Sequence, residues 1–324
     1  MKTETSLKIQ EYIRDHRQAT AKELSQFLKI SPQALFRQLA KLQEKDLILK
    51  IGKPPKVFYF IKEREVKEDV HIKVELRNII DQNYLIITPT GEKKVGLGAF
   101  VYWCKKTGLP LEKTAEEYVN TWKSYNHYRK NGLIDGTQKL KTTFSKVYLD
   151  KLFYLDFYSI ERFGKTKLGQ LLLYAKQSQD RKMIQEIIDF VAPTLNELIK
   201  KYEIDGVGFI PPTVKREVQF MKEMERELQL KAHIIPIVKL KTEVVVPQKT
   251  LNKLEDRIEN AQKTIIVQAK DQYKNILLID DAVGSGATLN ETALQIRERR
   301  IGSGKIIGLA LTGSFKGFDV ISEV

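Results

Sequence analysis

The chain has 324 residues, 42% of them hydrophobic, which is enough apolar material to bury two cores. One cysteine, Cys104, and four scattered histidines exclude a disulfide framework and a cysteine-rich zinc site. The net charge is +14, and half of it falls in residues 1–64, where 14 Lys and Arg stand against 7 Asp and Glu, so a polyanionic partner is expected for that part. Three helices are predicted first. Leu7, Ile9, Tyr12 and Ile13 give an apolar stripe. Thr20-Ala-Lys-Glu23 is a capping box and opens a second helix, with Leu24, Phe27 and Leu28 as its inner face. Ser31 suits an N-cap and Pro32 the first helical position, so a third helix starts there and turns Leu35, Leu39 and Leu42 inward. Beyond Asp46 two β-type runs, 47–51 and 57–61, flank the turn Gly52-Lys-Pro-Pro-Lys56.

Three helices and a hairpin in this order resemble a winged helix-turn-helix domain over about residues 3–62. Residues 31–42 are similar to the recognition helix of that family, and residues 52–56 to its wing. The resemblance implies double-stranded DNA as partner. Gln33 and Arg37 are suited to base edges in a major groove, Lys41 shares their outward face, and Lys53 and Lys56 are suited to phosphates. Phe36 fits either a base-methyl contact or a core position. Protein contact or dimerisation is the alternative use of such a domain, and a two-fold homodimer is the expectation for this class.

Residues 65–149 are predicted as a mainly helical middle segment. Tyr84-Leu-Ile-Ile-Thr88 reads as a strand, a turn follows near Pro89, and helices are expected over 98–106 and 114–129. Tyr118, Trp122, Tyr125 and Tyr128 recur at helical spacing. They predict a packed core or a dimer face, with base stacking as the alternative.

From about residue 150 helices alternate with apolar strands. Helices are predicted over 167–177, 182–202, 213–230 and 287–299, and strands over 206–212, 234–238, 275–279 and 306–311. This alternation predicts an α/β fold with a parallel sheet, in which ligands bind at the carboxyl ends of the strands. The expected division is 1–64, 65–149 and 150–324.

One segment carries chemistry. Ile276-Leu-Leu-Ile-Asp-Asp-Ala-Val-Gly-Ser-Gly-Ala-Thr288 is a buried strand with Asp280 and Asp281 at its tip. Gly284, Ser285, Gly286, Ala287 and Thr288 then form a tight turn into a helix, where backbone N–H groups can approach a phosphate. Adjacent carboxylates suit vicinal hydroxyls, so the pattern predicts a ribose 5-phosphate site. No Gly-Lys-Ser/Thr follows, which excludes a Walker loop.

The segment resembles the phosphoribosyl-diphosphate (PRPP) motif of type I phosphoribosyltransferases. The resemblance implies that Asp280 and Asp281 hold the ribose hydroxyls and that 284–288 holds the 5′-phosphate. Gly284 is a departure, since many members have a hydroxyl residue there. Lys239, Lys241, Gln248, Leu251, Arg257, Asn260 and Ala261 precede the Asp-Asp strand in an order similar to the ComF family, and that likeness spans about 150–324. It implies that Lys215 and Arg216, after the Pro-Pro loop, face the diphosphate with Mg²⁺ bridging. Arg257, with Lys239 and Lys241, is a further cationic candidate.

Three functions stay open on sequence. One is a DNA-binding regulator that senses PRPP, an arrangement similar to purine-operon repressors. Another is an active phosphoribosyltransferase or ribosyl-phosphate hydrolase targeted by its winged helix. The third is an effector of a retron-type anti-phage system. No secretory signal and no apolar run of membrane-spanning length is present, so a cytoplasmic setting without membrane contact is expected.

Overall fold

The computed structural model describes residues 2–62, 72–214, 216–240, 243, 246 and 250–315. The chain forms two compact units, Met1–His71 and Ile72–Val324.

The first unit has helices α1 (Lys2–His16), α2 (Ala21–Leu28) and α3 (Pro32–Glu44), then strands β1 (Ile48–Lys53) and β2 (Lys56–Ile61). The capping box is formed: Glu23 N–H donates to Thr20 Oγ1 at 3.3 Å, and Thr20 N–H donates to the Glu23 carboxylate at 2.6 Å. Ser31 caps α3 with Pro32 in its first turn. The hairpin pairs antiparallel from Ile48↔Ile61 to Lys53↔Lys56, so its turn is only Pro54-Pro55. Ala19 bridges Tyr59 and adds a third strand position. Ile9, Ile13, Leu24, Leu35, Leu39 and Leu42 fill the core. Two expected core residues lie elsewhere. Leu7 is 56% exposed, because two residues before Ile9 is the opposite side of the helix. Phe27 is exposed and packs sideways on Tyr12, with ring centroids 4.5 Å apart.

The second unit opens with α4 (Val74–Asn83), β3 (Leu85–Ile87), β4 (Lys93–Val95), α5 (Gly96–Thr107), α6 (Leu111–Asn126), β5 (Arg129–Lys130), β6 (Leu133–Asp135) and α7 (Thr137–Thr143). It continues through β7 (Lys151–Phe157), β8 (Ser159–Ile160), β9 (Gly164–Lys165), α8 (Lys167–Ser178), α9 (Arg181–Lys201), β10 (Gly206–Phe209), α10 (Phe220–Leu228), β11 (His233–Ile234) and β12 (Ile237–Lys239). It closes with α11 (Leu254–Thr264), β13 (Ile265–Val267), β14 (Ile276–Val283), α12 (Ala287–Glu298) and β15 (Ile306–Gly313).

Seven strands make one sheet in the order β11-β10-β14-β15-β7-β6-β5. The first five are parallel, and β6 and β5 extend the sheet antiparallel. Residues 72–149, expected as a segment between two modules, thus contribute strands and core to this unit. Tyr118 and Tyr125 are buried in that core, Trp122 packs against it, and Tyr128 is exposed.

Side chains alternate across each strand, so the buried runs serve two cores. Leu277, Ile279, Ile307 and Leu309 lie under α8, α9 and α10. Ile276, Leu278, Ile306 and Ala310 lie in the other core with α12 and the helices of residues 74–143.

The second unit differs from expectation in further places. β7 supplies an unpredicted interior strand between β15 and β6. The strand expected over 234–238 is two short ones, β11 and β12, divided at Ile235-Pro236, since proline cannot donate to a ladder. The helix expected from 213 begins only at Phe220. Side chains, instead of a helical ladder, satisfy the segment before it: Val218 N–H donates to Gln179 Oε1, and Gln219 Nε2 donates to the Arg216 carbonyl.

Candidate functional site

After β10 the chain passes through α10 to β11 on one side, then returns to β14 on the other side of β10. The winding direction therefore reverses between β10 and β14, and a crevice must open beyond their carboxyl ends. A cavity of about 340 Å³ lies there. The loop Ile210-Pro-Pro-Thr213 lines one side and residues 280–289 line the other.

β14 runs four residues past the predicted strand, so Asp280 and Asp281 belong to its last turn of pleat. Adjacent strand residues face opposite sides. Asp281 follows Leu277 and Ile279 toward α8, where its Oδ2 lies 2.5 Å from Lys176 Nζ. Asp280 takes the other side, and its Oδ1 accepts the Asp281 N–H at 2.8 Å. Burial first, and the adjacent Asp281 charge second, push the Asp280 carboxyl up to about 7; the Asp281 N–H and the ammonium groups of Lys176 and Lys239 act against that. The cavity thus holds a carboxyl poised near neutrality beside a paired carboxylate.

The turn after β14 is built for close approach of backbone. Gly286 has φ +85, a left-handed conformation that glycine adopts without the clash of a Cβ. Ser285 is buried and its Oγ accepts the Ala287 N–H at 3.3 Å. α12 starts at Ala287, so the first amides of a twelve-residue helix open on the cavity with the favourable end of its dipole. Gly286→Ala should cost about 1–2 kcal/mol of stability through that φ alone, read as a fall in the unfolding midpoint.

The cationic residues divide. Arg257 is buried, lines the cavity, and donates through Nε to the Leu251 carbonyl at 2.7 Å; burial pulls its pKa down. Lys239 also lines it and donates to Thr213 Oγ1 at 2.9 Å; burial lowers its pKa while Asp280 opposes the shift. Arg216 lines the cavity and its guanidinium donates to the Lys176 carbonyl. Lys215, Lys241 and Gln248 lie outside the described residues. All the ribose-phosphate candidates from Asp280 to Thr288, together with Arg216, Arg257 and Lys239, therefore share one cavity.

Lys176 was not legible in the sequence as a cavity residue. Lys176 is one lysine near the end of a leucine-rich helix, and only the packing of α8 on the sheet brings it to Asp281. Among the described residues no group of three or more His, Cys, Asp or Glu could hold a metal ion by itself.

In the first unit Gln33, Arg37 and Lys41 are four residues apart on α3 and all are exposed, so they form one stripe. Phe36 is 52% exposed on the same helix. Lys56 is exposed at the end of the hairpin, and the Lys53 side chain lies outside the described residues.

Residues 2–48 match the family model described as winged helix-turn-helix DNA-binding. The first unit is a winged helix-turn-helix domain, and the second is a mixed α/β domain with a mainly parallel sheet. No curated protein matches the chain. Among solved structures, a hypoxanthine phosphoribosyltransferase from Staphylococcus aureus is similar over 40% of this chain and 65% of that one, with 17% identity and a TM-score of 0.24. The chain thus spans less than two thirds of that protein's length. No helix among the described residues is long and apolar enough to cross a membrane.

Proposed function

We propose that the second unit binds PRPP, or a ribose 5-phosphate relative of it, and that the winged helix binds double-stranded DNA in response. The observation that carries the ligand half is the cavity at the β10–β14 switch point. It puts two carboxylates, a glycine turn at a helix N-terminus, the buried Arg257 and the half-buried Lys239 and Arg216 within reach of one small molecule. Asp280 and Asp281 would accept from the ribose hydroxyls and 284–288 would hold the 5′-phosphate. Arg216 and Arg257, with Lys215, would face the diphosphate. Mg²⁺, when present, would enter with the diphosphate and neutralise part of its charge.

For the DNA half, the charge excess and the exposed stripe of α3 support a major-groove role. Arg37→Ala should weaken specific binding by about 1–3 kcal/mol and relax preference at one base position. Lys56→Ala should weaken all sequences alike and reduce the salt slope by about 1. A fluorescence titration across salt concentrations separates the two effects.

A second use of the same cavity is transfer of the phosphoribosyl group. Leu172, Leu173 and Val218 also line it and leave an apolar wall for an acceptor, while Arg257, Arg216 and Lys239 would stabilise a departing diphosphate. The deciding experiment is calorimetric titration with PRPP, followed by a DNA shift assay with and without it. Binding of PRPP that changes DNA affinity supports the regulator. Diphosphate release with a base, nucleotide or water as acceptor supports the transferase. Absence of PRPP and ribose 5-phosphate binding would remove the ligand assignment.

A further inference from the structure

Lys176 touches both sides of the cavity. Its ammonium is 2.5 Å from Asp281 Oδ2, at side-chain exposures of 32% for the lysine and 16% for the aspartate. Its carbonyl accepts from the Arg216 guanidinium, on the loop that follows Pro211-Pro212. Both contacts have a physical cause. Lys176 is in the last turn of α8, whose final carbonyls have no intrahelical N–H; the last such bond runs from Gln179 N–H to the Ala175 carbonyl. A guanidinium satisfies a carbonyl left over at that end and meets the negative pole of the helix. The neighbouring contact from Val218 N–H to Gln179 Oε1 fastens the same loop to the same helix end. The lysine side chain meanwhile offsets one of two adjacent carboxylates, which would otherwise face an anionic ligand together.

We propose that Lys176 is a positioning residue: through its ammonium it fixes Asp281 for ribose binding, and through its carbonyl it ties the Arg216 loop to the same helix turn. The proposal rests on the ribose-phosphate assignment above. It gives Lys176 a role through Asp281 and not through direct contact with ligand. It also separates the two interactions, because substituting the side chain removes the first and leaves the backbone carbonyl in place.

The test measures ribose 5-phosphate and inorganic diphosphate affinities by calorimetry for wild type, Lys176→Met, Lys176→Arg, Asp281→Asn and the Lys176→Met/Asp281→Asn double variant. Lys176→Met should weaken ribose 5-phosphate about tenfold or more and leave diphosphate within about twofold, as expected when one charged hydrogen bond is lost. Lys176→Arg should restore most of the loss. The double variant should bind ribose 5-phosphate no more weakly than Asp281→Asn alone, since a residue that acts through Asp281 has nothing left to position. The ribose 5-phosphate pH profile of Lys176→Met should also move to higher pH, because Asp280 loses an opposing positive charge. Additive losses in the double variant, equal losses of both ligands, or an unchanged Lys176→Met would overturn the role of Lys176 while leaving the cavity assignment intact. Wild type that binds neither ligand would overturn the cavity assignment, and this role with it.

Discussion

Asp280→Asn is expected to lower PRPP affinity about 10- to 100-fold while making the protein more stable at about pH 8. The binding loss follows from exchanging a charged acceptor for a neutral amide, which removes about 1.5–3 kcal/mol per charged hydrogen bond. The stability gain follows from where the carboxyl sits. Burial and the Asp281 charge push it up to about 7, above the ordinary carboxyl range. From about pH 4 to pH 7 the folded chain therefore keeps a proton that the unfolded chain has released. Stability from this group is present at low pH and declines as pH rises toward 7. Asparagine lacks that titration, so the variant should match wild type near pH 4, gain progressively from pH 4 to pH 7 and keep that gain above it. A gain of about 1 kcal/mol would appear as about 2–4 °C in the unfolding midpoint of a domain this size. Wild-type PRPP affinity should climb between pH 6 and 8, as the ligand needs the ionised acceptor, and the variant's should stay flat. A variant that binds PRPP as tightly as wild type would remove Asp280 from the site. Such a residue, costly to folding and useful to binding, is what a strained ligand site looks like.

Leu39→Ala is expected to abolish DNA binding at 37 °C while leaving PRPP binding within about twofold. Leu39 is fully buried at the centre of α3, against Ile9, Ile13, Leu24 and Ile48. Truncating a buried leucine removes about 2–5 kcal/mol, transfer and cavity together. A unit of this size has about 4–10 kcal/mol in all, so the substitution takes a large share of it. The cavity proposed for PRPP is lined wholly by residues of the other unit and does not draw on that core. Leu39→Met keeps the volume and should lose no more than about 1.5 kcal/mol, which guards against a nonspecific effect. Circular dichroism melts, gel shifts and calorimetry on the same preparations give the three readouts.

The sequence by itself determined what depends on local pattern. The capping box at Thr20, the Ser31-Pro32 start and the Leu35-Leu39-Leu42 stripe specify α2 and α3 through short-range hydrogen bonds and a single buried face. The run from Ile276 to Thr288 likewise determined a strand, a carboxylate pair and a glycine turn, because each needs only its neighbours in the chain. Tertiary structure decided what depends on distant partners. It placed β7 at a position where buried residues on both faces hide the alternation that marks a strand. It drew residues 72–149 into the second unit, since their aromatic faces are completed only by packing on the sheet. It kept residues 216–219 out of a helix by bonding Arg216 and Val218 to the end of α8. It also chose the partner of Asp281. Lys176 lies 105 residues away in the sequence, and an ion pair across that separation exists only once α8 packs on the β14 side of the sheet.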